Sequence, residues 1–251
     1  MTENAPLMRV VALCPSFRRP KLAGNAAACF AAQDYSGPRK LLIWEDGGAL
    51  LASESELVEV IASERFPDLG SKYNALAERA IREKKADVLV VWEDDDIYLP
   101  WHLSVHVRAL QETGRMWSKP SRVLSLYTGR LQEEPAAGRF HASIALRREA
   151  WEEVRWPTSG RADFDQQFMA SLGRRFGPPA DPLEIHPVPG YVFRFGSTGS
   201  WHAQHFMCGP SDTSWYQDVE RTVSPVPKTE LRAEFDEETR AVYERFREPR
   251  T

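Results

Sequence analysis

The chain has 251 residues, 42% of them hydrophobic and 27% charged, and 32 Lys and Arg against 36 Asp and Glu leave a net charge of −4. This is an ordinary globular composition, and it excludes a uniformly basic nucleic-acid binder. It also excludes a bilayer-spanning helix, because clean apolar runs such as Val88–Trp92 fall far short of the roughly 20 residues required. Cys14, Cys29 and Cys208 lie far apart with no Cys-x-x-Cys pair, so neither a disulfide scaffold nor a zinc ribbon is indicated. With Met1–Pro6 lacking the basic and apolar regions of a signal peptide, a cytoplasmic location is expected.

In chain order, Arg9–Cys14 is a short β-branched strand stopped by Pro15. Pro20, favoured in a first helical turn, opens a helix to Gln33 with Leu22, Ala26, Cys29 and Phe30 on one face. Leu41–Trp44 is a second strand, ended by Glu45-Asp46-Gly47-Gly48. Glu54–Arg65 reads as a short helix. Ser71–Lys85 is a firmer one, with Leu76, Ala77, Ala80 and Ile81 forming its apolar stripe. Asp87–Trp92 is apolar without alternation, the pattern of a central strand covered on both faces. Alternating strands and helices predict a mostly parallel α/β sheet with right-handed crossovers.

Beyond Pro100, Trp101–Glu112, Arg148–Val154 and Asp163–Arg174 read as helices, and Val123–Tyr127, Phe140–Leu146 and Tyr191–Phe195 as strands. The five prolines of Gly177–Pro189 preclude regular structure there, and Gly196–Ser214 is a polar loop. Thr229–Arg247 places Leu231, Phe235, Val242 and Phe246 on one face of a terminal helix. No repeat or linker divides the chain, so it reads as one domain with an irregular C-terminal part.

The feature that carries chemistry is Glu93-Asp94-Asp95-Asp96, directly after the apolar strand. Carboxyl ends of strands face the ligand crevice in open α/β sheets. Two carboxylates about 4 Å apart repel by roughly 4 kcal/mol at an effective dielectric of 20, and a divalent cation removes that cost. Hard oxygen donors select Mg2+ or Mn2+. A solvated acidic turn is the plainer alternative. It is weakened by the apolar Ile97-Tyr98-Leu99-Pro100 that follows at once, which holds the cluster between core elements. The chain has no G-x-G-x-x-G after the first strand, no Walker motif, no G-x-S-x-G and no EF-hand pattern, which leaves a metal-dependent diphosphate site at the end of a parallel sheet.

Several segments then line up with a known family. Val10–Pro20 resembles the opening strand and P-[ST]-[YF]-x-R-P turn of family 2 glycosyltransferases with the Rossmann-like GT-A fold. Ala31–Tyr35 resembles that family's S-x-x-x-Q-x-Y helix end, Ile43–Gly48 its V-V-D-D-G-S strand end, Ser71–Asn74 its A-R-N helix start, and Trp92–Pro100 its D-x-D-D-x-x-x-P metal motif. His141–Trp151 and Ala162–Phe168 are similar, more loosely, to the strand–helix segment and to the helix start that carries the catalytic base. Glu45, Glu93 and Ala162 stand where the family has Asp, Asp and Glu.

The resemblance implies a nucleotide-sugar-binding half over residues 8–112, an acceptor and catalytic half over 113–226 and a C-terminal helix over 227–251. It implies a donor site in which Pro15, Ser16 and Phe17 hold the base, Asp46 accepts the uracil imide hydrogen, Lys72 lies near base and diphosphate, and Asp94 binds the ribose, with Arg19, Asn74 and Arg194 as further contacts. The implied metal, Mn2+ or Mg2+, sits on Asp95 with Glu93 and Asp96 completing the shell. His202 and His205 add to it, or to the diphosphate contacts, from the loop that closes over the donor; a plain polar loop is the other reading of that segment. The implied reaction is an inverting single displacement from a UDP-sugar, with Asp163 as base and Asp165 as its rival; an ordinary helix cap is the other reading of Asp163.

Among the remaining side chains, His102 and His106 are four apart on a helix with no third ligand nearby, so surface placement is expected. Trp201 and Trp215 can stack on a sugar or base, or pack. Acceptors range from a saccharide or other small hydroxyl compound to hydroxymethylated DNA, for which Arg147-Arg148 and Arg174-Arg175 are the basic contacts. A nucleotidyltransferase is the alternative enzyme, disfavoured because Cys14–Pro20 has no glycine, and a non-catalytic nucleotide-sugar-binding module is the alternative outside enzymes.

Overall fold

The computed structural model describes residues 7–158, 160, 163–195 and 224–247. Its main sheet begins with β1 (Val10–Ser16), β2 (Arg39–Glu45), β3 (Ser53–Glu54), β4 (Val58–Ala62) and β5 (Val88–Val91). A smaller sheet starts with β6 (Ile97–Tyr98). The main sheet resumes at β7 (Trp117–Ser118), the hairpin β8 (Arg122–Tyr127) and β9 (Arg130–Pro135) follows, then β10 (Ala145–Arg147), and β11 (Tyr191–Phe195) completes the set. The main sheet has the order β3-β4-β2-β1-β5-β10-β7 and the smaller one β6-β11-β8-β9. In the first, β4, β2, β1 and β5 run parallel. β3 and β10 are added antiparallel at its flanks, and β7, antiparallel to β10, runs with the parallel set.

Helices α1 (Pro20–Ala31) and α2 (Leu69–Arg82) make the crossovers. α1 starts on Pro20 as expected, and Asp68 caps α2 by accepting from the Ser71 backbone N–H at 2.7 Å. The chain moves outward from β1 through β2 to β4, then returns through α2 to lay β5 on the other side of β1. The sheet therefore reverses direction between β1 and β5, and a crevice opens there at the strands' carboxyl ends. The register sets Ser16 beside Glu45, and the acidic run leaves β5 next to them.

Four expectations are corrected. Glu54–Arg65 is not a helix: Val58, Val60 and Ile61 are β-branched, stiff at χ1, and pair β4 with the otherwise open edge of β2. Phe140–Leu146 is not one strand, since Phe140 takes a left-handed φ of 58° and a 3-10 turn over His141–Ser143 intervenes before β10. Of Thr229–Arg247 only α6 (Glu237–Arg247) is helical. Residues 229–236 run as a strap, with Thr229 bridging to Leu50 and the Glu234 N–H donating to the Gly24 carbonyl at 3.2 Å. Finally, His102 and His106 on α3 (His102–Thr113) are buried rather than exposed, their rings 4.7 Å apart, and His106 Nδ1 lies 2.9 Å from the Ser118 hydroxyl. Burial pushes both below the normal imidazole range, His106 to about 3.

α4 (Arg148–Glu153) packs on β10, and α5 (Phe164–Phe176) on the 3-10 turn over His141–Ser143. The described tryptophans are used in packing. Trp156 stacks on Tyr73 and Phe168 at 5.1 and 4.2 Å, and Trp92 stacks on Tyr98 at 3.7 Å. No helix among the described residues is long and apolar enough to cross a membrane.

Candidate active site at the switch between β1 and β5

The acidic run leaves β5 into the crevice with its carboxylates inside the protein: Asp94, Asp95 and Asp96 are buried, and only Glu93 is partly open, with 26% of its side chain exposed. Oxygens of Glu93, Asp95 and Asp96 all lie within 4.8 Å of one another. Hard carboxylate donors at that spacing fit a divalent cation of the Mg2+ or Mn2+ kind. The protein meanwhile offsets the charge with its own groups. Arg19 reaches Asp94 at 2.6 Å and Asp95 at 3.0 Å, and the Ser16 hydroxyl donates to Asp94 at 2.7 Å. Asp96 accepts from the Tyr191 hydroxyl at 2.6 Å and the Arg194 backbone N–H at 3.0 Å.

These partners do not cancel the cost of burial. Loss of solvent, opposed by Arg19 and reinforced by Asp95, pushes Asp94 up to about 6. Burial together with Asp95 and Glu93 drives Asp96 well above the carboxylate range.

The wall formed by β2 carries Glu45 and Asp46. Glu45 is fully buried and accepts from the backbone N–H groups of Arg18 and Gly47 at 2.9 Å and Ala49 at 2.8 Å, so it shapes the two loops at the crevice mouth. Asp46 lies deep, 2.7 Å from Lys72 Nζ and 3.0 Å from Arg65 Nη1, and accepts from the Phe66 N–H. Lys72 also donates to the Ser16 carbonyl at 2.6 Å. Burial lowers Lys72, while Lys72 and Arg65 outweigh burial to lower Asp46. Phe17 beside them is covered by the Arg65 guanidinium 3.8 Å from its ring centroid. Pro15, Ser16, Phe17, Arg19, Asp46, Lys72 and Asp94 are thus gathered at one place.

Two expected donor contacts are directed elsewhere. Asn74 holds the aromatic wall: its amide donates to the Trp156 carbonyl at 2.9 Å and accepts from Trp156 N–H at 3.1 Å and Trp151 Nε1 at 3.2 Å. Arg194, only 1% exposed, donates Nε to the Asp95 carbonyl at 2.6 Å and Nη1 to Asp236 on the strap at 2.5 Å, so it braces the cluster from behind. A strand arginine flanked by apolar residues gives no hint of an acidic partner 42 residues away.

The two candidate bases stand at the start of α5. Asp163 precedes α5, forms no side-chain cap, and accepts from Gln167 Nε2 at 2.9 Å. Asp165 is electrostatically coupled to both His141 and Glu93; burial raises its carboxyl above the usual range, and Glu93 adds to the effect. His141 was not singled out in the sequence, where it is a lone histidine in an apolar stretch. In the fold it is buried, Nδ1 3.8 Å from Glu93 Oε1, and burial pushes it down to about 4. The Tyr73 hydroxyl donates to the same Glu93 oxygen at 3.3 Å.

His202, His205, Trp201 and Trp215 lie outside the described residues. The arginine pairs are taken up locally: Arg147 donates to the Leu110 and Arg115 carbonyls, Arg148 pairs with Glu149, Arg175 with Glu153, and Arg174 bonds Ser171.

No protein-family model matches the sequence, and no curated protein matches it. Among solved structures, residues 1–349 of S. aureus TarS in complex with UDP-GlcNAc superpose with a TM-score of 0.62 at 12% identity, over 85% of this chain and 65% of that one. The same TarS fragment with UDP gives 0.59 at 12% identity, over 78% and 68%. A longer TarS chain gives 0.59 at 11% identity, and the match spans only 41% of its length. At such identities the likeness is one of fold: this chain shares the mixed α/β, Rossmann-like fold seen in TarS.

Proposed function

We propose that the chain is a metal-dependent, inverting glycosyltransferase that moves a sugar from a UDP-sugar to an acceptor hydroxyl. The observation that carries this reading is the buried Glu93, Asp95, Asp96 cluster at the β1/β5 switch point, in a fold shared with a protein whose structures hold UDP and UDP-GlcNAc. The β1–α1 turn and Asp46 supply the base-side wall, and Asp94, beside Ser16 and Arg19, faces the ribose. Glu93, Asp95 and Asp96 would hold the cation, whose chemistry there would be to neutralise the charge that develops on the departing diphosphate.

Of the two candidate bases, this reading takes Asp165. Burial raises its carboxyl, the direction that suits a base that must take and then release a proton, and the charge of Glu93 adds to that rise, which supports the choice. Asp163 is held by Gln167 on its own helix.

The test is incubation with a panel of UDP-sugars and acceptor mixtures, with Mn2+ or with chelator, scoring free UDP. Mn2+-dependent UDP release supports the reading. Release of pyrophosphate points instead to nucleotidyl transfer, and donor binding without turnover to a non-catalytic module; either overturns the proposal.

A further inference from the structure

His141 lies in a geometry with one chemical solution. Trp156 Nε1 lies 2.8 Å from His141 Nε2, and an indole nitrogen can only donate. The Nε2 atom must therefore be an acceptor, and a neutral ring then carries its hydrogen on Nδ1. The Trp156 side chain is itself fixed, sandwiched between Tyr73 and Phe168, so the lock is rigid. Yet the Nδ1–H that results is buried and has no hydrogen-bond partner among the described residues. A buried donor without an acceptor is destabilising, so a carboxylate that turned toward it would relieve that cost. Glu93 Oε1 lies 3.8 Å from Nδ1, and it is the oxygen that already accepts from Tyr73. Glu93 is also the partly exposed member of the cluster and one methylene longer than an aspartate, so a donor beside it can set how its carboxylate is presented.

From this we infer that His141 is a positioning residue: locked by Trp156 as the Nδ1–H tautomer, it donates to Glu93 and orients that carboxylate for a divalent cation. The inference rests on the metal-dependent reading above. Removing a group that orients a metal ligand typically costs 10–100-fold in metal affinity.

The two halves of the imidazole can be separated by substitution. Asparagine places an amide nitrogen at the Nδ1 position and leaves nothing at Nε2, whereas glutamine reaches the Nε2 position and leaves nothing at Nδ1. Mn2+ binding to the full chain, read by paramagnetic resonance of free Mn2+ without any sugar nucleotide, is measured beside the melting temperature. His141→Asn is expected to melt lower while keeping Mn2+ affinity within about 3-fold. His141→Gln is expected to keep its melting temperature and bind Mn2+ about 10–100-fold more weakly. If histidine is merely structural, affinity follows stability and the Asn variant is the weaker binder; that order overturns the inference. Should the Asn variant fail to fold, 15N resonances of the wild-type histidines decide: a proton on Nδ1 of His141 supports the lock, and one on Nε2 overturns it. Wild-type protein that takes up no Mn2+ overturns the metal reading itself, whatever the variants do.

Discussion

Removing Asp236 should unfold the chain from the strap inward, and the size of the effect follows from what is left behind. Arg194 is 1% exposed, and its guanidinium is paired with Asp236 at 2.5 Å while donating to the Asp95 carbonyl at 2.6 Å. A buried lysine robbed of its partner can shed its proton, but an arginine cannot, so Asp236→Ala strands a full charge. Breaking a buried pair from one side costs about 3–5 kcal/mol. Glu238 remains 3.7 Å away and Asp236 itself is 35% exposed, so water can enter. The lower end, about 3 kcal/mol, is therefore expected, or roughly 6–12 °C in melting temperature for a chain of this length. The double variant Arg194→Met, Asp236→Ala should be less destabilised than the two single losses summed, because no charge is stranded. Denaturant titration of all four proteins closes the cycle. A double variant whose loss is additive within about 0.5 kcal/mol would show that the pair carries no coupling, and would refute the account of the strap as the brace behind Asp95.

Other outcomes follow from the same contacts. Asp165→Asn should lower transfer by about 10²–10⁴-fold with donor affinity nearly unchanged, and Asp163→Asn by far less; steady-state kinetics on both decides between them. Gly24→Ala should cost about 1–3 kcal/mol by chemical denaturation, since a Cβ there would sit 2.2 Å from the Arg232 carbonyl of the strap. With His106 held down to about 3 and His141 to about 4, the unfolded chain binds protons below pH 6.5 that the folded chain refuses. Stability of the metal-free protein should thus fall as pH drops from 6.5 toward 4: buried His102 adds to the loss, while Asp94 and Asp96, raised in the fold, oppose it. Melting curves across that range, with His106→Leu flattening the slope, provide the check.

How much of this was legible in the sequence depended on the distance over which each feature is decided. β1, α1, β2, α2 and β5 are set by local signals: a proline at the first helical turn, an apolar run without alternation, an amphipathic stripe. The acidic run declared itself because its neighbours on both sides are apolar, so it could not turn into solvent. The misread segments are those settled by partners. Residues 54–65 carry enough charge to mimic a helix, but β2 needs a neighbour and β-branched Val58, Val60 and Ile61 provide one. Residues 229–236 have helical spacing, but backbone bonds to Ala49, Leu51 and Gly24 hold them extended.

The same division runs through the site. The groups that would touch a donor come from the ends of β1, β2 and β5, short stretches whose order along the chain already places them side by side. The groups that hold those in place do not. Trp156 fixes His141, Asn74 fixes Trp156, and Asp236 fixes Arg194, each through a side chain that reads as ordinary on its own. Every one of these braces ends on Glu93, Asp95 or a wall beside them, and a cluster of four carboxylates needs such bracing because it opposes its own assembly. Substitutions in the braces should therefore alter metal affinity without touching a ligand, whereas substitutions in the ligands should leave the braces, and the fold, intact.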